Sequence, residues 1–374
     1  MSNEAHEAPA EDQEHQRVWA EATAEAREMI VSKPGVGRRT LVQRAGFGTL
    51  ALALGGGFLA NFTRENPQSV ASSLNGGEGK GLKMLGTNGA LTVSWYAQGR
   101  AAMQRWCEVY GVDLTWIDGQ GDSNKQRAAL DSAAERKWDI AGITPSTAGT
   151  IVDPVNRMAD AGTGVFEMTS NIGGPSDKVN ILTSVQQSSF DMGYNVAKLL
   201  FERAGGTGTV IHTRGVPGGS DEKGRYEGFH AALKEFPGMK LVAEDFGRWD
   251  RARAQQLWQT YLNRYPDITV GYCQNDDMAF GALTAAESAG RKDVIIGGAD
   301  GMPDAIDAIL AGRIVATARH SAPQIHALPV ILGVAWKLGA IDTFPTLTPV
   351  TAPVVTEDNA AAVKFLQQDG VLYA

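Results

Sequence analysis

Basic charge is in short supply in this chain of 374 residues, where 34 lysines and arginines face 42 aspartates and glutamates for a net charge of −8. A nucleic-acid partner requires a basic face, so none is expected. Cysteine is almost missing: Cys107 and Cys273 lie far apart and fall in different predicted lobes. Two such residues make neither a disulfide framework nor a C-x-x-C metal or redox site, and they read as small buried side chains. Signatures of catalysis are missing as well. There is no G-x-S-x-G elbow, because Gly218-Gly219-Ser220 runs on into Asp221 and Glu222. Gly205-Gly206-Thr207-Gly208 precedes a predicted strand instead of linking a strand to a helix, and it has neither dinucleotide nor Walker spacing. His6, His15, His212, His230, His320 and His326 include no two at helical ligand spacing beside a carboxylate motif. Asp118, Asp122 and Asn124 read as a solvated loop. No enzyme activity, cofactor or bound metal is expected.

What the chain does have is a globular composition, 43% hydrophobic and 20% charged, with length enough for two domains. The most informative stretch runs from Ile268 to Ala305. Ile268–Cys273 is apolar and β-branched, which predicts a strand buried on both faces. Asn275, Asp276 and Asp277 follow, residue types that accept the orphan N–H bonds of a helix start. Met278, Ala282, Ala285 and Ala286 then recur at helical spacing until Gly290. Val294–Ile296 predicts a second strand, with Asp300-Gly301 just beyond it. The unit is β-α-β, so its strands should be parallel through a right-handed crossover. Ligands of open parallel sheets bind beyond the carboxyl ends of strands, where Asn275 and Asp300 stand.

The same alternation extends from Leu82 to the end of the chain. Helices are predicted at Gly99–Gly111 and Asp122–Lys137, with strands at Val112–Ile117, Trp138–Ile143, Gly164–Met168 and Val179–Val185. A second series begins after about residue 186. Its helices carry Phe190, Gly193, Ala197 and Leu200, then Tyr226, Phe229, Leu233 and Phe236, then Leu257, Trp258 and Tyr261. Its strands fall at Thr209–His212 and Leu241–Phe246. The expected fold is α/β, two Rossmann-like lobes with parallel sheets facing each other across a cleft.

The N-terminus is different in kind. In residues 1–37, eight acids stand against three bases, which predicts a solvated or loosely ordered segment. Arg38-Arg39-Thr40-Leu41-Val42 then precedes a fifteen-residue run, Gly46–Ala60, that contains five glycines and is too short for an ordinary membrane span. A paired arginine before such a run resembles a twin-arginine export signal over 38–71, with Gln43 where lysine is common and small residues for cleavage at Ser69-Val70-Ala71. That likeness implies the twin-arginine translocase as a partner and the periplasm as destination. The competing readings are an uncleaved anchor or a chance pair.

Three segments carry a further resemblance. QNDDMAFGALTAAESAGRKDVIIGGADGMPDAIDAILAGRIVAT (274–317), DSNKQRAALDSAAERKWDIAGITPST (122–147) and GGSDEKGRYEGFHAAL (218–233) look like parts of the periplasmic sugar-binding proteins of the ribose- and galactose-binding type. The resemblance spans roughly 82–374. It implies a solute-binding component that closes around a small carbohydrate or polyol and hands it to an ABC importer permease. It also implies lobes at 80–186 with 321–350 and at 187–320 with 351–374, joined by a three-segment hinge. A sensory module reporting to a chemoreceptor or kinase is the alternative.

Ligand residues follow from the same resemblance. Trp95, Tyr96 and Trp249 fall where the family stacks aromatic rings on a sugar, a role suited to rings with free edges; the competing reading is core packing. Asn275 and Asp300 match an amide and a carboxylate that accept hydroxyls, against helix capping. Lys223 aligns where an arginine is usual, with Arg225 two residues on, and a lysine is a point charge without the bidentate fork. His320 takes a hinge position where glutamine is common. Thr169, Ser170 and Asn171 replace an aspartate-arginine pair. The substitutions imply a pentose other than ribose, a linear polyol or a modified sugar.

Overall fold

Short apolar runs alternating with amphipathic stretches fold into two sheets in a computed structural model that describes residues 78–174 and 176–367. The acidic stretch 1–37 and the arginine pair with its apolar run (38–71) lie outside the described residues. The chain first makes β1 (Lys83–Asn88), α1 (Ser94–Tyr110), β2 (Asp113–Asp118), α2 (Ser123–Ala133), β3 (Ile140–Ile143), α3 (Val152–Asp160), β4 (Gly164–Met168) and β5 (Thr183–Gln186). It continues through α4 (Ser189–Arg203), β6 (Thr207–Arg214), α5 (Ser220–Glu235), β7 (Gly238–Phe246) and α6 (Arg251–Arg264). The β-α-β unit read first follows as β8 (Ile268–Cys273), α7 (Asp276–Ser288) and β9 (Ile295–Ala299), then α8 (Pro303–Leu310) and β10 (Ala316–Ala318). The chain closes with α9 (Ala322–Lys337), β11 (Leu347–Pro349), β12 (Val354–Val355) and α10 (Ala360–Leu366).

The strand orders are β11-β5-β4-β3-β1-β2 and β12-β10-β9-β8-β6-β7. Every neighbouring pair is parallel except β10 with β12. Helices cover both faces of each sheet, which is why β3 and β4 are buried at every residue. On the first sheet, Met103, Ile140, Phe166 and Leu328 pack one side and Leu85, Leu130, Val155 and Met158 the other. On the second, Trp258, Met278 and Ile296 oppose Leu200, Phe229 and Val270. Cys107 and Cys273 are free and buried, one in each lobe's core. The chain passes between the sheets after β5, after β10 and after β11.

Among the boundaries that differ from expectation, three do so for a clear local reason. Helix α1 starts at Ser94, ahead of Gly99, because its N-cap is Val93, which makes no side-chain cap bond and leaves no polar marker in the sequence. Trp95 and Tyr96 therefore occupy its first turn. Helix α2 stops at Ala133, where the Trp138 indole N–H donates to the Ala133 carbonyl at 2.8 Å and satisfies one of its orphan acceptors. Strand β5 begins only at Thr183, since the Asn180 N–H and the Lys178 carbonyl bond to the Asn156 side chain instead of to a neighbouring strand.

Helices α4 and α5 cross with no room for side chains. A Cβ on Gly193 would lie 2.2 Å from the Arg225 carbonyl oxygen, and one on Gly228 would lie 2.1 Å from that of Phe190. Both clashes are with backbone, which yields only if the helices separate. Gly228→Ala should destabilise the protein by about 1–3 kcal/mol through overpacking, although alanine is intrinsically the better helix former by about 1 kcal/mol. Urea denaturation measures it; an unchanged midpoint would show that the crossing gives way freely.

Candidate functional site

Both sheets turn their carboxyl ends toward one another, and the polar residues of the site stand there. Asn88 ends β1, Thr144 and Ser146 follow β3, and Thr169, Ser170 and Asn171 follow β4. From the second sheet come Gln274 and Asn275 after β8, Asp300 after β9 and His320 after β10. The lobes touch. The Ser94 hydroxyl donates to Asp277 at 2.8 Å, the Trp95 indole N–H to the His320 carbonyl at 2.6 Å, and the Asn171 N–H to the Ser220 hydroxyl at 2.9 Å. Asp277 is held in turn by Arg251 at 2.8 Å.

Arg225 is the hub of the second lobe's side. Its side chain is 2% exposed, its Nη1 donates to the Gln274 carbonyl, and its Nη2 lies 3.1 Å from His320 Nδ1. Its guanidinium carbon lies 5.2 Å from the Trp249 ring centroid, a cation–π distance. Arginine only donates, so His320 Nδ1 carries the lone pair and its Nε2–H donates to the Thr169 hydroxyl at 3.0 Å. Burial, then the neighbouring Arg225 charge and His326, hold the His320 pKa well below the ordinary value, consistent with a neutral ring. Trp95 stacks on that ring at 4.3 Å. Thr169 reaches it with a left-handed backbone, φ 56°, in a loop that buried Glu167 clamps by accepting from the Ile172 N–H and the Ser184 hydroxyl.

Asp300 sits 3.6 Å from Arg225 Nη1 and 3.5 Å from His320 Nδ1, too far for hydrogen bonds. Burial pushes its pKa well above 3.8, with the Arg225 charge opposing. Its neighbour Asp276 is pushed up to about 7 by burial, while accepting from the Met302 N–H and the Thr317 hydroxyl. Half-buried Tyr96 lies near Asp300 and Asp221, and its phenol is kept neutral by burial and by those two carboxylates.

Several candidates have other work. Asn275 caps α7, its Oδ1 accepting from the Met278 N–H at 2.9 Å, and its amide nitrogen donates to the Trp249 carbonyl at 3.4 Å. Trp249 is half-buried with φ 61°, and its ring lies so close over Gly215 that a Cβ there would meet it at 2.0 Å. Asn171 is exposed, its side-chain oxygen taken by Gln186 at 2.7 Å, and Ser170 is buried in the tight turn before it. Lys223 is not brought to the cleft. It is 72% exposed and paired with Glu227 on the outer face of α5. Residues two apart on a helix point to opposite sides, so burying Arg225 turns Lys223 outward.

The residues missed from the sequence are Asn88, Thr144, Ser146 and Gln126. The Gln126 amide donates to the Thr87 hydroxyl and to the Asn88 and Thr144 carbonyls, and accepts from the Ser146 N–H, all within 2.8–3.2 Å. That tie satisfies the backbone and leaves the side chains. Asn88 Oδ1, Thr144 Oγ1, Ser146 Oγ and, opposite them, Arg225 Nε are buried without a hydrogen-bond partner. Ser146 Oγ and the Tyr96 ring each lie 3.5 Å from the space a Cβ on Gly89 would occupy. Asn88-Gly89 reads as a turn in sequence, which hides its place at a strand end.

The model of the "Periplasmic binding protein domain" family matches residues 87–335. The chain is 26% identical over 267 residues to the xylitol-binding protein of Mycolicibacterium smegmatis, covering 71% of this chain and 75% of that one. It is 27% identical over 224 residues to the ribose import binding protein of Escherichia coli, covering 60% and 74%. Among solved structures, the periplasmic binding protein of a Shewanella arabinose ABC transporter, bound to L-arabinofuranose, superposes with a TM-score of 0.70 at 22% identity, covering 75% and 93%. At that identity the likeness speaks to the fold alone.

Proposed function

The chain belongs to the periplasmic binding protein domain family, and from that membership we propose that it captures a small carbohydrate or polyol between its lobes for an ABC importer. The observation that carries the ligand class is the set of orphaned buried polar atoms at the strand ends, Asn88 Oδ1, Thr144 Oγ1, Ser146 Oγ and Arg225 Nε. A buried polar atom without a partner costs about 1–3 kcal/mol, and a polyhydroxylated ligand supplies both donors and acceptors. Tyr96 and Trp249 offer the apolar faces that a sugar ring's C–H groups require, while Trp95 holds the His320 ring between the lobes. Xylitol, ribose, allose and apiose appear in the names of relatives, which supports a compact pentose, hexose or polyol. The importer reading is kept over a sensory one because those relatives include import binding proteins.

In this reading Trp95, Tyr96, Thr169, Arg225, Trp249, Asp300 and His320 contact the ligand or orient those that do. Ser170, Asn171 and Asn275 shape its walls. The lobes, divided as 80–186 with 321–350 and 187–320 with 351–374, part and close about the three crossings. The cross-lobe bonds of Ser94, Trp95 and Asn171 would open to admit a ligand. Thermal-shift screening against sugars and polyols, with amino acids and organic acids as controls, tests this. One sugar or polyol should raise the melting temperature progressively, with the logarithm of its concentration once that exceeds the Kd, and scattering with and without it should show contraction. Stabilisation by an acid or amino acid with no response to any sugar or polyol would overturn the reading.

The family is one of solute binders, and membership implies an extracytoplasmic location. We propose the twin-arginine route for export, on Arg38-Arg39 and the glycine-rich run behind them. Changing both arginines to lysine keeps the charge and removes the guanidinium pair, so precursor should accumulate in the cytoplasm. Normal export of that double variant, followed by fractionation and immunoblotting, would end the proposal.

A further inference from the structure

Away from the cleft, the β6-α5-β7 crossover brings together side chains that neither the ligand reading nor the sequence motifs use. His212 on β6 and Glu244 on β7 are register partners on adjacent parallel strands. His230 comes down onto them from α5. His212 Nδ1 lies 2.9 Å and His230 Nε2 lies 2.7 Å from the same oxygen, Glu244 Oε2. The three ligand atoms are all within 4.8 Å of one another. We propose that His212 Nδ1, His230 Nε2 and Glu244 Oε2 form a binding site for a divalent transition metal of the zinc class.

The donor set argues for that class. Two imidazole nitrogens and one carboxylate oxygen suit zinc, cobalt, nickel or copper, whereas calcium and magnesium take all-oxygen shells. Bond lengths of about 2.0–2.2 Å at tetrahedral angles set ligand atoms roughly 3.3–3.5 Å apart, so each nitrogen has to move out from Glu244 Oε2 by only about half an ångström from its present 2.9 or 2.7 Å. The rings are already held. Phe229 stacks on His212 at 4.1 Å between centroids, and Tyr226 lies 4.3 Å from His230. Glu244 binds through one oxygen, because Oε1 is kept by Arg214 at 3.3 Å, and a hydrogen-bonded carboxylate ligand of this kind is the usual outer arrangement. His212 is fully buried while His230 is 27% exposed, so the metal enters from the His230 side and water completes the shell. Ligation also has an inner consequence. The Gln274 amide nitrogen faces His212 Nε2 at 3.2 Å, so the ring proton now sits on Nδ1. Moving it to Nε2 requires Gln274 to turn its carbonyl toward the ring. The expectation that no metal site exists rested on local spacing; here the three ligands come from three separate elements.

Titration calorimetry of the full chain with Zn(II) in metal-free buffer, paired with Co(II) absorption, tests the site. One metal per chain should bind to the parent protein. Outer partners alone are worth about 10–100-fold in metal affinity, so His230→Ala and Glu244→Gln should each weaken binding by at least ~100-fold. His230 is partly exposed and outside the cores, so its variant should stay folded without metal, with the parent's circular dichroism and at most a modest drop in melting temperature for the lost Glu244 bond. Absence of Zn(II) binding up to about 100 µM, or binding undiminished in a folded His230→Ala, which would place the metal on other histidines, overturns the proposal.

Discussion

Arg225→Met is expected to abolish measurable ligand binding and to cost the protein about 3–5 kcal/mol, the usual penalty for removing one member of a buried ion pair. The guanidinium is 2% exposed and serves the Gln274 carbonyl, His320 Nδ1 and the Asp300 carboxylate together. Methionine fills the volume and replaces none of these. His320 would lose the donor that fixes its tautomer, so the Thr169 contact across the lobes would loosen as well. The penalty should depend on pH, with a sign that can be worked out. Burial already raises the Asp300 pKa above 3.8, and Arg225 opposes that rise. A carboxyl group whose folded pKa lies above its unfolded one binds more protons when folded, so its contribution to stability grows as pH falls through the folded pKa toward 3.8. Removing Arg225 lifts the folded pKa further. The deficit relative to the parent should therefore be largest at alkaline pH and shrink on acidification, by about 1.4 kcal/mol for each unit of extra shift. Urea denaturation at pH 8 and pH 5 reads this. A deficit that is equal at both would mean that Asp300 never depended on Arg225.

Why some of this was legible in sequence and some was not follows from the range over which each signal acts. The β8-α7-β9 unit is local: an apolar strand, capping residues, a periodic helix and a stop give its architecture and place Asn275 and Asp300 at strand ends. What they do there is not local. Asn275 is spent on the Met278 N–H, whereas Asp300 has only contacts of 3.5 Å or more from its carboxylate. The choice between Lys223 and Arg225 was open to helical geometry alone, since only one of them can face the sheet, but deciding which required the packing of α5 on α4. The sequence sets Trp95 and Tyr96 ahead of a helix because Val93 gives no capping signal. The orphaned atoms of Asn88, Thr144 and Ser146 become visible only once Gln126, from the intervening helix, is seen to satisfy the backbone around them. His212, His230 and Glu244 escape any spacing rule because a crossover assembles them.

Asp300 provides the sharpest test of the cleft, provided that the backbone is kept out of it. The residue holds φ 123°, a conformation that costs a residue with a Cβ of order 1–3 kcal/mol and glycine very little. Aspartate already carries that strain and alanine would keep it; Asp300→Gly removes the carboxylate and relieves the backbone, so any loss of binding cannot come from added strain. Its main-chain bonds, N–H to the Ala318 carbonyl at 2.8 Å and carbonyl from the His320 N–H at 3.0 Å, survive the change. Neither carboxylate oxygen is within hydrogen-bond reach of Arg225 or His320, so both remain available to ligand hydroxyls. Hydrogen bonds to a charged group contribute about 1.5–3 kcal/mol each. Asp300→Gly should therefore weaken carbohydrate or polyol binding by at least ~10-fold for a single lost bond and by at least ~100-fold for two. Asp300→Asn keeps the shape and one acceptor, tolerates the backbone, and should fall between the glycine variant and the parent. Arg225 keeps its bonds to Gln274 and His320 in both, so the folded state should persist, with a melting temperature nearer the parent's than that of Arg225→Met. Calorimetric titration of the two variants with the ligand found by screening decides the matter. Parent-like affinity in a folded Asp300→Gly would make Asp300 a turn residue and move the ligand's polar anchor elsewhere, with Asn88, Thr144 and Ser146 as the next side chains to replace.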